Sequence, residues 1–353
     1  MLKRLSEQEQ LEQIVQQYEP AIRKAFLEAI ETIRSDAVIE EIIERLQKGD
    51  ITGAVNAIPV DSTAFNPVAD AIRETFNAGG IAALSKLPRL KSPSGHKVVV
   101  RFDARNVRAE QWLKQHSSNL VTNIITDQKE AIRSALTNGM IYGRNPRSVA
   151  LDIVGRVEKV TGRRTGGIVG LTSNQASFVE NARQELTSGQ IEGYKAYLTR
   201  ARRDKRFDRS VLKAIQSGEK LPADLITKML NRYEVSLLKL RGDTIARTEA
   251  LESLNASQQE AMEQTLDKTI YTDQDVQRVW KTAGDNRVRD SHAAMNRQTV
   301  KGLQTPFVTP DGYKMKYPHD RSLGAPASET INCRCIQLVR LDYTKNINKG
   351  DML

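Results

Sequence analysis

The sequence predicts an α+β protein, mostly α-helical in its N-terminal and middle regions, with a small α+β module at its C-terminal end. Apolar residues recur at three- and four-residue intervals over most of the first 270 positions, the period of an amphipathic helix. Past about residue 270, prolines, glycines and alternating apolar positions replace that rhythm, which is the texture of short strands and turns. A chain of 353 residues also exceeds one ordinary core, so more than one domain is expected.

Leu11, Ile14, Val15, Tyr18, Ile22, Phe26, Ile30 and Ile33 fall on one helical face, predicting a long first helix bent at Pro20. A second helix follows through Val38, Ile39, Ile42, Ile43 and Leu46 and stops at Lys48-Gly49-Asp50. Residues 61–90 read as alanine-rich helix interrupted at "NAGG", 77–80, and "PRLKSPSG" at 88–95 marks a boundary. Residues 1–90 are therefore taken as an acidic helical region.

The middle region, 91–243, opens with a strand or extended connector, "HKVVVRFD", at 96–103. Val107, Trp112, Leu113, Leu120, Ile124 and Ile132 predict a helix that breaks at "NGMIYGRNPRS". A helix over 170–186 starts at a Thr or Ser cap, and one or two long helices fill 221–268, punctuated at Gly242-Asp243. The module at 244–343 holds two alternating stretches, "YKMKY" and "CRCIQLVRL", with a turn at "TPDG" before the first, and a flexible polar tail, 344–353, ends the chain.

Charge is unevenly distributed. The formal total is +10, yet residues 1–90 carry −4, residues 91–245 carry +13 and residues 246–353 carry +1. A localised excess of that size attracts a polyanion, most simply nucleic acid; the competing explanation is a solvated Lys/Arg-rich surface. The densest cluster is Arg200, Arg202, Arg203, Lys205, Arg206 and Arg209, with Asp204 and Asp208 between. These side chains cannot share one helical face, and stacking aromatics are scarce, so contact would be to the phosphate backbone and blind to sequence. No apolar run approaches the ~20 residues needed to span a bilayer, so no membrane segment is expected.

Both cysteines lie in "INCRC", 331–335. A disulfide at that spacing would close a small strained ring, and a reducing place of synthesis is expected. In a strand, the period of two would point Cys333 and Cys335 to one side. With His292 and His319 they make a Cys₂His₂ inventory for one structural zinc, although C-x-C is not the usual knuckle spacing and small buried thiols also serve simply as core; no other cofactor is expected.

Standard catalytic signatures are absent: no phosphate-cradling glycine loop, nucleophile elbow, H-E-x-x-H or calcium loop. The chain is expected not to be an enzyme. The residues weighed for an acid/base role are His292, paired with Asp285 or Asp320 beside Arg287 and Arg289, and Glu249. A plain core histidine on a helix capped by Asp285 or Asn286, and a helix-surface pair between Arg247 and Glu252, are the blander readings.

Taken in order, "TIARTEALESLNASQQEA", "VWKTAGDNRVRDSHAAMNRQTV", Phe307, "DGYKMKYPHD" and "INCRC" resemble the phage Mu F-like family of minor head proteins, also called phage head morphogenesis proteins, over roughly residues 240–340. The pattern positions are Arg247, Thr248, Glu249, Trp280, Asp285, Arg287, Arg289, His292, Pro318, Asp320, Asn332, Cys333 and Cys335. "MNRQTV" departs from it where a glycine is common. The resemblance implies a minor capsid protein of a tailed phage, made in the host cytoplasm and stored in the head. It also implies association with the portal protein and other head proteins, contact with genomic DNA, and a part in head assembly and genome packaging or delivery. A virion-delivered nuclease-like enzyme built on the C-terminal module, and a structural portal adaptor without DNA contact, are the rival expectations.

Overall fold

The computed structural model describes residues 5–344, so most of the polar tail at 344–353 lies outside the described residues. Helix α1 (Glu7–Asp36) buries Leu11, Val15, Ile22, Phe26, Ile30 and Ile33, the predicted stripe, and continues through Pro20. After α2 (Ile39–Gln47), Gly49 turns the chain with φ of 74°, and the Asp50 side chain caps α3 (Ile51–Asn56) by accepting from the Gly53 N–H. Helix α4 (Asn66–Leu84) leads to a hairpin of β1 (Leu90–Lys91) and β2 (Lys97–Val98).

Helix α5 (Val107–Ile141) ends at the predicted Gly/Asn/Pro cluster, where Asn145 caps α6 (Pro146–Val154) with proline in its first turn. A small hairpin, β3 (Arg156–Val157) with β4 (Arg164–Thr165), precedes α7 (Ser173–Thr187), which starts in a reciprocal Thr172–Gln175 capping box. Short helices α8 (Ile191–Leu198) and α9 (Asp208–Ser217) lead to α10 (Ala223–Lys268), and Gly218, with φ of 70°, ends α9. Strand β5 (Val276–Lys281), helix α11 (Asp290–Met295), strands β6 (Thr299–Lys301), β7 (Phe307–Val308) and β8 (Lys314–Met315), helix α12 (Ala327–Thr330) and strand β9 (Ile336–Leu341) complete the chain. The fold is thus helical in its N-terminal and middle parts with a small α+β C-terminal part, as the texture of the sequence predicts.

Among the described residues two compact units form, each from discontinuous stretches: one from residues 5–24, 68–117 and 244–344, the other from 25–67 and 118–243. In the second, the loop before α7 is held by buried charges. Arg34 donates to the carbonyls of Gly167 and Val169, and Glu234 accepts from the Gly167 N–H at 2.6 Å. Burial pulls the Arg34 pKa down to about 10, so the guanidinium stays charged at neutral pH, while burial pushes the Glu234 carboxyl up.

In the first unit, an antiparallel sheet of order β6-β5-β9 carries two cores. Leu84, Leu90, Met262, Tyr271, Val276, Leu303 and Leu341 form one; Trp280, Met295, Phe307, Met315, Cys333 and Cys335 form the other. Residues 248–262 of α10 are all buried, yet rich in carboxamides and hydroxyls. Those polar groups dock neighbouring backbone. Asn255 Oδ1 accepts from the Gln337 N–H at 2.8 Å, Gln337 Nε2 returns a bond to the Asn255 carbonyl, and Thr248 Oγ1 accepts from the Asn332 N–H. Gln259 donates to the Leu303 carbonyl and Gln264 to that of Asp103. Asn255 thereby satisfies the Gln337 N–H on the outer edge of β9, which no further strand covers among the described residues.

Two expected interruptions do not occur. Helix α4 runs unbroken through Asn77–Gly80, and α10 through Gly242-Asp243. At the first site the glycines serve close packing: a Cβ on Gly80 would lie 2.5 Å from the Phe102 ring, and one on Gly79 would lie 2.3 Å from Ser257 Oγ. Gly80→Ala is therefore expected to destabilise by about 1 kcal/mol in urea unfolding, because overpacking of ~1–3 kcal/mol exceeds the ~1 kcal/mol gained in helix propensity. A neutral or stabilising result would show that Phe102 moves aside freely.

Candidate functional site

The C-terminal module gathers His292, Cys333 and Cys335. His292 sits on α11, whose start is fixed when the Ala293 N–H bonds to the Arg289 carbonyl. Trp280, from the buried face of β5, stands edge-on to the His292 ring at 5.3 Å and to Phe307 at 5.4 Å. The cysteines do not lie in the strand, which begins only at Ile336. Asn332 adopts φ of 56° and the Cys335 N–H turns onto Cys333 Sγ at 3.3 Å, so this loop, rather than strand alternation, brings the sulfurs to one side.

His292 Nδ1 lies 3.4 Å from Cys333 Sγ and 3.5 Å from Cys335 Sγ. One ligand atom from each of the three residues falls within 4.8 Å of the others, and all three side chains are buried. On the far side of the ring, Nε2 is 2.9 Å from Glu329 Oε2, within ion-pairing distance but not aligned as a hydrogen bond. Glu329 also accepts from Ser291 Oγ at 3.1 Å. A carboxylate behind an imidazole is the usual means of orienting a metal-bound histidine.

Charge in the sulfur pair is shared unequally. The Cys333 sulfur accepts from the Cys335 thiol and faces His319 and His292, which holds its pKa well below the usual thiol value. Holding that proton and being buried push the Cys335 thiol up. Two sulfurs, one imidazole and a backing carboxylate are the donor set of a soft or borderline cation such as zinc.

His319 is fully buried and in the left-handed region, with φ of 78°. Its Nε2 is 3.1 Å from the Cys333 carbonyl and its Nδ1 is 3.4 Å from Asn255 Nδ2. It therefore contacts the backbone of the cysteine loop as well as standing beside the Cys333 sulfur, while the three-residue group itself is made by His292, Cys333 and Cys335. Burial works against charge on His319, yet Cys333 more than offsets this and raises its pKa.

The remaining sequence-derived candidates divide clearly. Asp285 caps no helix: it accepts from the Arg287 N–H and takes both guanidinium nitrogens of Arg334, the residue between the cysteines, at 2.5 and 2.7 Å. Those bonds hold its carboxyl well below the usual range. Neither Asp285 nor Asp320 pairs with His292; Asp320 accepts from the backbone of Lys316 and Ser322. Arg289 donates to the Ile331 carbonyl at 2.5 Å, and Arg287 is exposed beside Asp285. Arg247 pairs with Glu19 at 3.2 Å rather than with Glu252, and Glu249 meets His116. In the basic cluster, Arg200 pairs with Glu185, Arg203 with Asp208 and Arg206 with Asp204, leaving Arg202, Lys205 and Arg209 exposed with no ion pair among the described residues.

Spacing does not reveal Glu329, His116 or Arg278. The only local signal for His116 is its place four residues after Trp112, whose indole stacks on it at 4.5 Å.

This arrangement coincides with a family assignment. Residues 205–338 match the family described as Phage Mu protein F like protein. That segment belongs to the phage Mu F-like family. No curated protein and no solved structure matches the chain. Over these residues the chain is similar to phage Mu F-like head morphogenesis proteins. The Mu F-like segment includes every residue of the His/Cys/Cys group, and residues 1–204 lie outside it. Among the described residues no helix is long and apolar enough to cross a membrane.

Proposed function

We propose that this Mu F-like protein is a non-enzymatic minor component of the phage head that docks on the portal protein and touches packaged DNA without reading its sequence, during packaging or delivery. The family match over residues 205–338 carries this reading. The charge map supports the DNA part: the +13 excess over 91–245 suits a protein kept beside dense phosphate. Internal pairing reduces the strongest basic cluster to Arg202, Lys205 and Arg209, which narrows the expected phosphate contacts.

The surroundings of His292 support a structural role. The side chain is 1 % exposed, enclosed by Trp280, and has one nitrogen facing sulfur and the other facing a carboxylate, which leaves no room for a substrate proton. One zinc ion held by His292, Cys333 and Cys335, with Glu329 orienting the imidazole, would tie α11 to the loop before β9. When bound it would keep both sulfurs as thiolates. The buried Trp280 indole N–H, which has no oxygen or nitrogen partner, favours a thiolate at Cys335. His319 supports the cysteine loop through its backbone.

Salt titration of DNA binding tests the electrostatic part. Affinity is expected to fall steeply with salt and to be indifferent to sequence, and Arg202→Ala/Lys205→Ala/Arg209→Ala should lower the log–log salt slope by about 2–3. A slope that the triple substitution leaves unchanged would remove this cluster from the interface. Copurification with the portal protein tests the docking, and its failure under conditions where both proteins are folded would contradict it.

A further inference from the structure

A second group of metal-ligating side chains lies in the same unit, apart from the sulfurs. Glu249 and Glu252, at i and i+3, share a face of α10, and His116 reaches them from α5. His116 Nε2 is 2.5 Å from Glu249 Oε2, and its Nδ1 is 3.6 Å from Glu252 Oε1. One ligand atom from each residue lies within 4.8 Å of the others.

The imidazole is held in place before any ligand arrives. Trp112 stacks on its face at 4.5 Å and 7°, Phe76 stacks on Trp112 at 4.9 Å, and the Trp112 indole donates to Tyr317 Oη at 3.2 Å. His116 keeps 15 % of its side chain exposed, which gives the cluster a way in from solvent.

Glu252 is the unresolved member. It is 6 % exposed, its Oε2 has no hydrogen-bond partner, and its Oε1 stands beyond hydrogen-bond reach of His116. The charges acting on it from outside the cluster are on Arg321, an exposed side chain, and on the buried His319. A carboxylate taken out of water without a donor is costly, and a protonated His116 serves Glu249 well but Glu252 poorly. A divalent cation would satisfy both carboxylates together.

We propose that His116, Glu249 and Glu252 form a second metal site, for a divalent transition cation of the manganese, iron or zinc class. One imidazole nitrogen with two carboxylates suits such cations better than calcium or magnesium, which prefer all-oxygen shells, and it differs from the sulfur-rich site in hardness. The two sites can therefore be told apart by the ion each takes.

The test is Mn²⁺ binding to the full chain, followed by electron paramagnetic resonance and by the melting temperature. The wild type is expected to bind one Mn²⁺ per chain and to melt higher when it is present. Glu252→Gln should lose at least tenfold in affinity and lose the stabilisation. Cys333→Ser/Cys335→Ser should retain both. Should Glu252→Gln fail to fold, His116→Gln carries the same comparison. No Mn²⁺ bound by the wild type, or binding that survives both substitutions at His116 and Glu252, would overturn the proposal and leave a protonated histidine between two carboxylates.

Discussion

Arg278→Met is expected to destabilise the unit that holds the C-terminal module by about 3–6 kcal/mol, read as a lowered urea midpoint. Arg278 is completely buried on β5. Its guanidinium donates to the carbonyls of Gly302, Thr305 and Lys316, and its Cζ lies 5.2 Å from the centre of the Phe307 ring. One cation thus gathers the loop running from β6 to β8. Burial lowers its pKa to about 10, which keeps it charged at neutral pH, where ionised donors bind carbonyls most strongly. Methionine fills much of the volume but leaves three acceptors without a donor, at ~1–3 kcal/mol each before water or rearrangement relieves them. Arg278→Lys should recover only part of the loss, because an ammonium cannot reproduce a planar fork. A change below about 1 kcal/mol in the methionine variant would mean that the carbonyls find other partners.

The second large effect concerns the sulfurs. Wild-type protein is expected to carry zinc at the His292 site, and Cys333→Ser/Cys335→Ser to lose that zinc in elemental analysis and to melt at a markedly lower temperature. Structural zinc contributes about 10–16 kcal/mol to small finger peptides, and here a smaller share is expected because Trp280, Met295, Phe307 and Met315 supply an apolar core as well. A chelator should act on the wild type in the same direction and have no further effect on the double variant. Zinc absent from the wild type would return both thiols to simple packing, and the double substitution would then cost only what two buried polar hydroxyls cost.

The helices were legible because their apolar stripes face a core: residues from Leu11 to Ile33 are buried along α1, and Ile42 and Leu46 along α2, although Val38 stands exposed. Thr172 announced its helix start through capping chemistry, whereas Asn145, which caps α6, was legible only as part of a break. Glycine misled at Gly79-Gly80, because close approach between elements uses the same residue as a helix break, and only the neighbours distinguish the two; at Gly242 the helix simply continues. The meeting of His292 with the C-x-C pair was anticipated from their shared module. Glu329 and His116 were not, since a partner 37 or 133 residues away leaves no periodic trace. The burial of the polar run of α10 leaves no periodic trace, and its reason is tertiary: Asn255, Gln259 and Gln264 bind backbone that only the folded chain brings near. The assembly of each compact unit from separated segments is invisible to a reading along the chain for the same reason.

The central claim, that this Mu F-like protein works inside the phage head against DNA, is tested most directly by mass spectrometry of purified heads combined with protein–DNA cross-linking. The chain is expected in empty procapsids and in filled heads, with cross-links to DNA in filled heads that fall within residues 91–245. Absence from both particles, or presence in filled heads without any DNA cross-link from that region, would contradict it.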